Sequence, residues 1–327
     1  MADQSPREIV SGLGFIEGPV WMEDGALLVC DMCEQGILAV DLERGTASPF
    51  VNTGGGPNGL AIGPDGDLFV CNNGGMAFGP KVDGQNKPVG GGAKPDNAIA
   101  PCIQKVDRKG RVETLYAECG GHPLQAPNDL VFDAHGGFYF TDIGHAHGRT
   151  CDLGGLYYAK ADGSLIRELI HDATPTTPLT QPNGVALSPD GKTIYVAETG
   201  SGRLWAWSVL EPGVLGPAPS PVSRNGAAML FGWGDYTLFD SMAVDSVGNI
   251  CVGTLLRGGV TVVRPEGGLE RFIAIPEEYY VTNICFGGAD LKTAYLTASG
   301  HGKVWAVDWP HSGLALAHVA STPRLAA

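Results

Sequence analysis

No uninterrupted apolar run in this 327-residue sequence approaches the roughly 18 residues that a membrane-crossing helix needs, so no transmembrane helix is expected. Positive charge is scarce: 21 Lys and Arg stand against 35 Asp and Glu, a net charge of −14. Nucleic acid and anionic membranes select basic surfaces, so neither is expected as a partner and a small-molecule substrate is. The opening residues, MADQSPREIV, lack a basic segment followed by an apolar stretch and so read as the start of a leaderless, cytoplasmic protein. A second CxxC is also missing. Cys30 and Cys33 form one, but nothing completes a zinc site, and the eight cysteines read as reduced thiols, mostly small buried hydrophobes.

Glycine and proline, by contrast, are plentiful at 49 and 23 residues. Both are costly inside helices, so the composition points away from a helical protein. Their placement is periodic. One pattern recurs six times: an oxygen-bearing residue, a short apolar strand, a Gly-containing turn and a second apolar strand. It begins at Glu17 (EGPVWMEDGALLVCD), Asn58, Asn128, Asn183, Asp240 and Asn283. The Asp-Gly and Gly-Gly turns are those a tight hairpin requires. A further strand, polar turn and strand follow each copy, as in GILAVDLERGT and CIQKVDRKGRV. Six repeats of two hairpins predict an all-β, six-bladed β-propeller, four antiparallel strands per blade, with residues 1–327 forming a single domain. REIV near the N-terminus and LALAHVA near the C-terminus are alternative closing strands.

In a propeller the first strand of each blade lines the central channel, so the six anchors ring one mouth. Asn and Asp are ordinary turn residues, and that reading stays open for Asn58 and Asn283. It does not account for Glu17 or for the acidic Asp240. Two carboxylates converging there would repel one another unless a cation lay between them. With neutral amide oxygens they form the donor set of a hard cation, Ca²⁺ first, with Mg²⁺, Mn²⁺ or Zn²⁺ as alternatives; Glu17, Asn128, Asn183 and Asp240 are the expected ligands. The second strands return to the same mouth, bringing Asp31, Asn72, Asn73, Asp142, Glu198, Thr254 and Ser299 near the anchors. Residues 74–101, rich in Gly and Pro, read as a lid-like insertion or a plain surface loop. His145, His147 and Arg149 fall on the rim. Phe231, Trp233 and Tyr236 form either an aromatic wall for substrate or packing between blades. Asn73, His145, His147, Trp233 and Tyr236 are thus the candidate substrate contacts.

Glu17 in FIEGPVW, Asn128 in APNDLVFD followed by FYFTD, Asn183 in PNGVALSPDG and Asp240 in FDSMAVD resemble the regucalcin/gluconolactonase family of calcium-dependent propellers, related more distantly to diisopropyl fluorophosphatase and the paraoxonases. The similarity spans nearly the whole chain. It implies a metal-dependent lactonase in which those four residues hold or flank one divalent cation, Asp240 is both ligand and base, and Asn128 positions substrate. Gln125, Ala126 and Pro127 stand where sugar-lactone members carry a basic residue, and IGHAHGRT replaces a proline-containing segment. A less polar lactone is therefore as plausible as a sugar lactone. A metal-dependent phosphotriesterase or other ester hydrolase, and a non-catalytic calcium-binding propeller, are the alternatives.

Overall fold

The structure is a computed structural model and describes residues 5–89, 93–171, 179–220, 223 and 225–318. No helix occurs among the described residues. Six antiparallel sheets follow one another along the chain, each led by an inner strand: Ile16–Trp21, Pro57–Ile62, Pro127–Phe132, Pro182–Leu187, Leu238–Val244 and Val281–Gly287. They are called blades 1 to 6 here. Each inner strand packs against the next, and the sixth packs against the first, so the sheets close into a ring. This is the six-bladed propeller that the repeats predict. Blade 4 adds a short fifth strand, Val214–Leu215, beside the standard four.

Burial follows radius. The inner strand of blade 2, Pro57–Ile62, is buried throughout, whereas the outer strand of blade 1, Thr46–Asn52, has no buried residue. The apolar core is correspondingly toroidal. Six clusters fill the six gaps between neighbouring blades, as Val20, Leu28 and Ile37 of blade 1 do against Leu60, Leu68 and Val70 of blade 2. Because apolar burial is satisfied between the blades, the axis is left to polar groups.

The ring closes through the N-terminal strand. Arg7–Val10 pairs antiparallel with Lys303–Asp308 and supplies the outermost strand of blade 6, with Lys303 Nζ 2.8 Å from Glu8 Oε2. REIV is therefore the closing strand. LALAHVA does not serve: Leu314 donates its N–H to the Val244 carbonyl at the far end of the channel, and residues 319 and 320 lie outside the described residues.

Candidate functional site

The anchors do not precede the inner strands; they lie within them. In every blade the pairing of first and second strands slips at the anchor, between Glu17 and Val20, Pro57 and Leu60, Pro127 and Leu130, Pro182 and Val185, Phe239 and Met242, and Val281 and Asn283. Such bulges re-aim a side chain and release it from the alternation of the strand. The residue after the anchor is glycine in blades 1, 2 and 4, and close approach of neighbouring blades explains it. A Cβ on Gly18 would lie 2.3 Å from the Asn58 carbonyl oxygen, one on Gly59 2.6 Å from that of Asn128, and one on Gly184 2.7 Å from that of Asp240. Inner strands thus meet backbone to backbone, at the level of the anchors.

All six anchor side chains are buried. Glu17 Oε2 accepts the Gly18 N–H at 3.0 Å and the Asn283 amide at 3.0 Å. Asp240 Oδ1 accepts the Ser241 N–H at 3.1 Å, and the Asn183 amide also bonds the Asp240 carboxylate. Asn183 Oδ1 takes a hydrogen bond from Ser241 Oγ at 3.3 Å. Two amides therefore orient the two carboxylates. The other two behave differently: Asn58 Oδ1 and Asn128 Oδ1 are buried with no hydrogen-bond partner. A buried amide oxygen without a partner loses its hydration and gets nothing back, so it calls for an explanation.

The electrostatics point the same way. Burial pushes the Glu17 carboxyl up to about 7, its hydrogen bonds notwithstanding, and raises Asp240, with the Glu17 charge as the next cause. Asp129 rises to about 7, again through burial, while its Oδ1 holds the Leu130 N–H at 2.9 Å. The three carboxylates share this field across the channel, and Asp129 raises the other two. They do not form a compact cluster: among the described residues no group of three or more His, Cys, Asp or Glu side chains has metal-holding form. The donor set is instead mixed, carboxylate plus amide oxygen. Unpaired amide oxygens beside carboxylates that resist ionisation fit a hard divalent cation, which would satisfy the first and neutralise the second.

The repeats place Asn58 among the six anchors and leave its reading as a turn residue open; its Oδ1, like that of Asn128, is buried without a partner. Asp129 is not among the residues expected from the repeats. Asp129 occupies the position at which Gly18, Gly59 and Gly184 stand in other blades; a carboxylate in a column of glycines was the available signal.

The second-strand ends return to the anchor mouth but face the backbone. Asp31 accepts the N–H groups of Gly14 and Cys33, Asn72 that of Gly56, Asp142 those of Gln125 and Ala126, and Glu198 that of Thr180. They brace the loops that lead into the next layer of the mouth. Asn73 is buried there too, with Oδ1 on the Gly75 N–H at 2.9 Å. His145 has a buried, unpartnered Nε2, and burial, aided by Lys94, lowers its pKa so that the ring is neutral. His147 is exposed and held by Asp152 Oδ2 at 2.9 Å within the hairpin of Ala146–His147 and Thr150–Cys151. Trp233 packs against blade 5: Nε1 donates to Thr261 Oγ1 at 3.1 Å, and the Arg257 guanidinium lies 3.9 Å from the ring centre. Tyr236 is 81% exposed. Trp233 thus takes the packing role and Tyr236 the rim.

The insertion between blade 2's second and third strands crosses to the loops of blades 1 and 6. Asn86 Nδ2 donates to the carbonyls of Gly14 and Ser299, both at 3.0 Å, and Phe78 lies 5.3 Å from Phe15 between ring centres. Residues 90–92 of it lie outside the described residues. A cavity of about 710 Å³ occupies the opposite half of the channel, running from Gly18, Asp129 and Asn283 down to Ser188–Lys192 and Leu314–Ala317. All eight cysteines are free.

Comparison with known proteins bears on the family and the fold. The model of the SMP-30/Gluconolactonase/LRE-like region matches residues 15–300. The chain is similar to a gluconolactonase of Zymomonas mobilis, 26% identical across 90% of this chain and 79% of that one, and to the lactonase drp35 of Staphylococcus saprophyticus, 30% identical across 80% and 70%. Among solved structures, a gluconolactonase from Xanthomonas campestris superposes with a TM-score of 0.71 at 22% identity, covering 94% of this chain and 91% of that one. Regucalcin from Agrobacterium tumefaciens, a calcium-binding protein, gives 0.68 at 17% identity over 95% and 98%.

Proposed function

Because the chain belongs to the SMP-30/gluconolactonase/LRE-like family, we propose that it is a hydrolase of small lactones acting at the anchor mouth of a single propeller, with the insertion at 74–101 as its lid. One observation carries the placement: Glu17 and Asp240 share one buried field, and the amide oxygens of Asn58 and Asn128 lie unpaired beside it. Glu17, Asn128, Asn183 and Asp240 would hold a divalent cation, with Ca²⁺ as the preferred occupant and Asn58 as an additional donor. When bound, such a cation polarises an ester carbonyl and stabilises negative charge on its oxygen.

The chain's own groups do the rest. Asn128 orients the lactone carbonyl. Asp240 takes the proton of the attacking water, held in place by the Ser241 N–H and the Asn183 amide. The water oxygen bonds to the carbonyl carbon, the ring C–O bond breaks, and Asp240 passes the proton it took to the departing ring oxygen, giving the hydroxyl of a hydroxy acid.

The test is a panel of lactones of graded polarity, with an organophosphate triester and a linear ester as rivals, run with and without chelator. Lactone turnover that chelation abolishes and Ca²⁺ restores is expected. Asp240→Asn should lower kcat by about 100-fold or more, the scale of losing one electrostatic or proton-transfer group. An unaltered rate in that variant would remove Asp240 from the mechanism, and turnover of the triester alone would replace lactonase with phosphotriesterase.

A further inference from the structure

The anchor mouth carries apolar side chains in water along one arc. Tyr236 is 81% exposed, Tyr279 57% and Leu256 36%, and each stands at a different inter-strand loop. These loops are joined. The Leu256 N–H donates to the Tyr279 carbonyl at 2.6 Å, and Leu255 bridges Tyr280. Arg257, next to Leu256, pairs with Asp235 and reaches Thr237 Oγ1 at 3.4 Å, which brackets Tyr236 on both sides. On the other flank Tyr280 lies 6.2 Å from Phe15, and Phe15 lies 5.3 Å from Phe78 of the insertion. Exposed apolar side chains therefore arc in a crescent over blades 5 and 6, and Phe15, itself buried, packs between Tyr280 at the end of that arc and Phe78 of the insertion. Leu256 takes φ +67°, a conformation that a Leu adopts only at a cost, and it does so on the surface. The cation on this arc is already engaged, since Arg257 is stacked on Trp233 and paired with Asp235.

An exposed apolar arc continuous with a catalytic mouth is the form of an extended substrate site. Resting on the lactonase reading, we infer that the preferred substrate is a lactone bearing a hydrocarbon substituent, which leaves the ring over this crescent while the ester lies at the anchors.

The experiment measures kcat/KM on a homologous series of δ-lactones, unsubstituted through hexyl, with Ca²⁺ present. A fully covered methylene is worth about fourfold; on a half-open rim roughly twofold per methylene is expected. Leu256→Gly, which suits the left-handed backbone, and Tyr279→Ser should each flatten the rise, read as the ratio of hexyl to unsubstituted kcat/KM, with thermal melting confirming the fold. A flat series in the wild-type protein, or a slope that neither variant changes, overturns the inference and leaves the lactonase reading standing. Hydrolysis of no lactone at any length overturns that reading instead. Sedimentation of the protein with neutral phosphatidylcholine vesicles, lost in both variants, would make the crescent a membrane contact and also overturn the inference.

Discussion

Stripping divalent cations should make this protein less stable as pH rises, the reverse of ordinary acid denaturation. Burial holds the Glu17 carboxyl at about 7 instead of 4.5. Between those values the folded chain keeps a proton that the unfolded chain has released, so stability falls with rising pH and levels off above about 7. The difference amounts to about 3 kcal/mol for Glu17 at 1.36 kcal/mol for each pH unit. With an unfolding entropy of ~0.7 kcal/mol/K for a chain of this length, that is a drop in Tm of about 4 °C between pH 5 and 8. Asp129 and Asp240 are raised by the same burial and act in the same direction. His145, lowered below 6.5 by burial, acts oppositely, and carboxylates lowered by surface partners, such as Asp152 beside His147, act only below about pH 4. The Glu17→Gln variant isolates the effect, because an amide has no proton to lose. Differential scanning calorimetry of chelated wild-type and variant protein from pH 5 to 8 should show the wild-type drop in Tm reduced by about 4 °C in the variant. Ca²⁺ at a hundred times its Kd should return about 3 kcal/mol at pH 8. A flat or rising Tm in chelated wild-type protein, or equal slopes for the two proteins, would refute the convergence of carboxylates on which the site is built.

Two further outcomes follow from packing. Gly184→Ala places a methyl group 2.7 Å from the Asp240 carbonyl, so a loss of about 1–3 kcal/mol in urea unfolding is expected, together with weaker Ca²⁺ binding by calorimetry. Asn86→Ala leaves the Gly14 and Ser299 carbonyls without their amide, and limited proteolysis should then cut within 76–89 several-fold faster while the ring stays intact.

The repeats were legible because each blade must solve one problem: an inner strand buried on both sides, a tight far turn, and a polar residue where the chain enters the channel. Glu17 and Asp240 stood out since no turn chemistry calls for them. The bulges were hidden, because a register slip depends on the partner strand and leaves no fixed residue signature. The choice of closing strand was hidden for the same reason, since REIV and LALAHVA are both plausible strands and only pairing with Lys303–Asp308 decides between them. P-N-G left Asn58 open between turn residue and site residue, because its orphaned oxygen exists only once six blades are assembled. Trp233 was undecidable from sequence, as an aromatic loop residue packs or lines a wall according to the neighbouring blade; here Thr261, Phe272 and Arg257 of blade 5 capture it.

The six anchors are chemically similar yet unequal in role, and the ring order explains the difference. Asn283 stands between the two carboxylate blades and gives its amide to Glu17, while Asn183, on the other side of Asp240, gives its amide there. Those two amides hold the carboxylates in place through their N–H groups. Asn58 and Asn128 follow Glu17 around the ring, and their amide oxygens have no hydrogen-bond partner. The two anchor carboxylates thus flank blade 6, a third carboxylate, Asp129, sits on blade 3, and the unpaired amide oxygens lie on blades 2 and 3. On the rim, exposed Tyr236, Leu256 and Tyr279 stand over blades 5 and 6, whereas His145, with its unpartnered Nε2, stands over blade 3. A mouth with apolar groups on one side of its rim and unpaired acceptors on the other offers different surroundings to the two ends of a bound molecule, and an amide that turns its N–H to a neighbouring carboxylate fixes where that carboxylate stands.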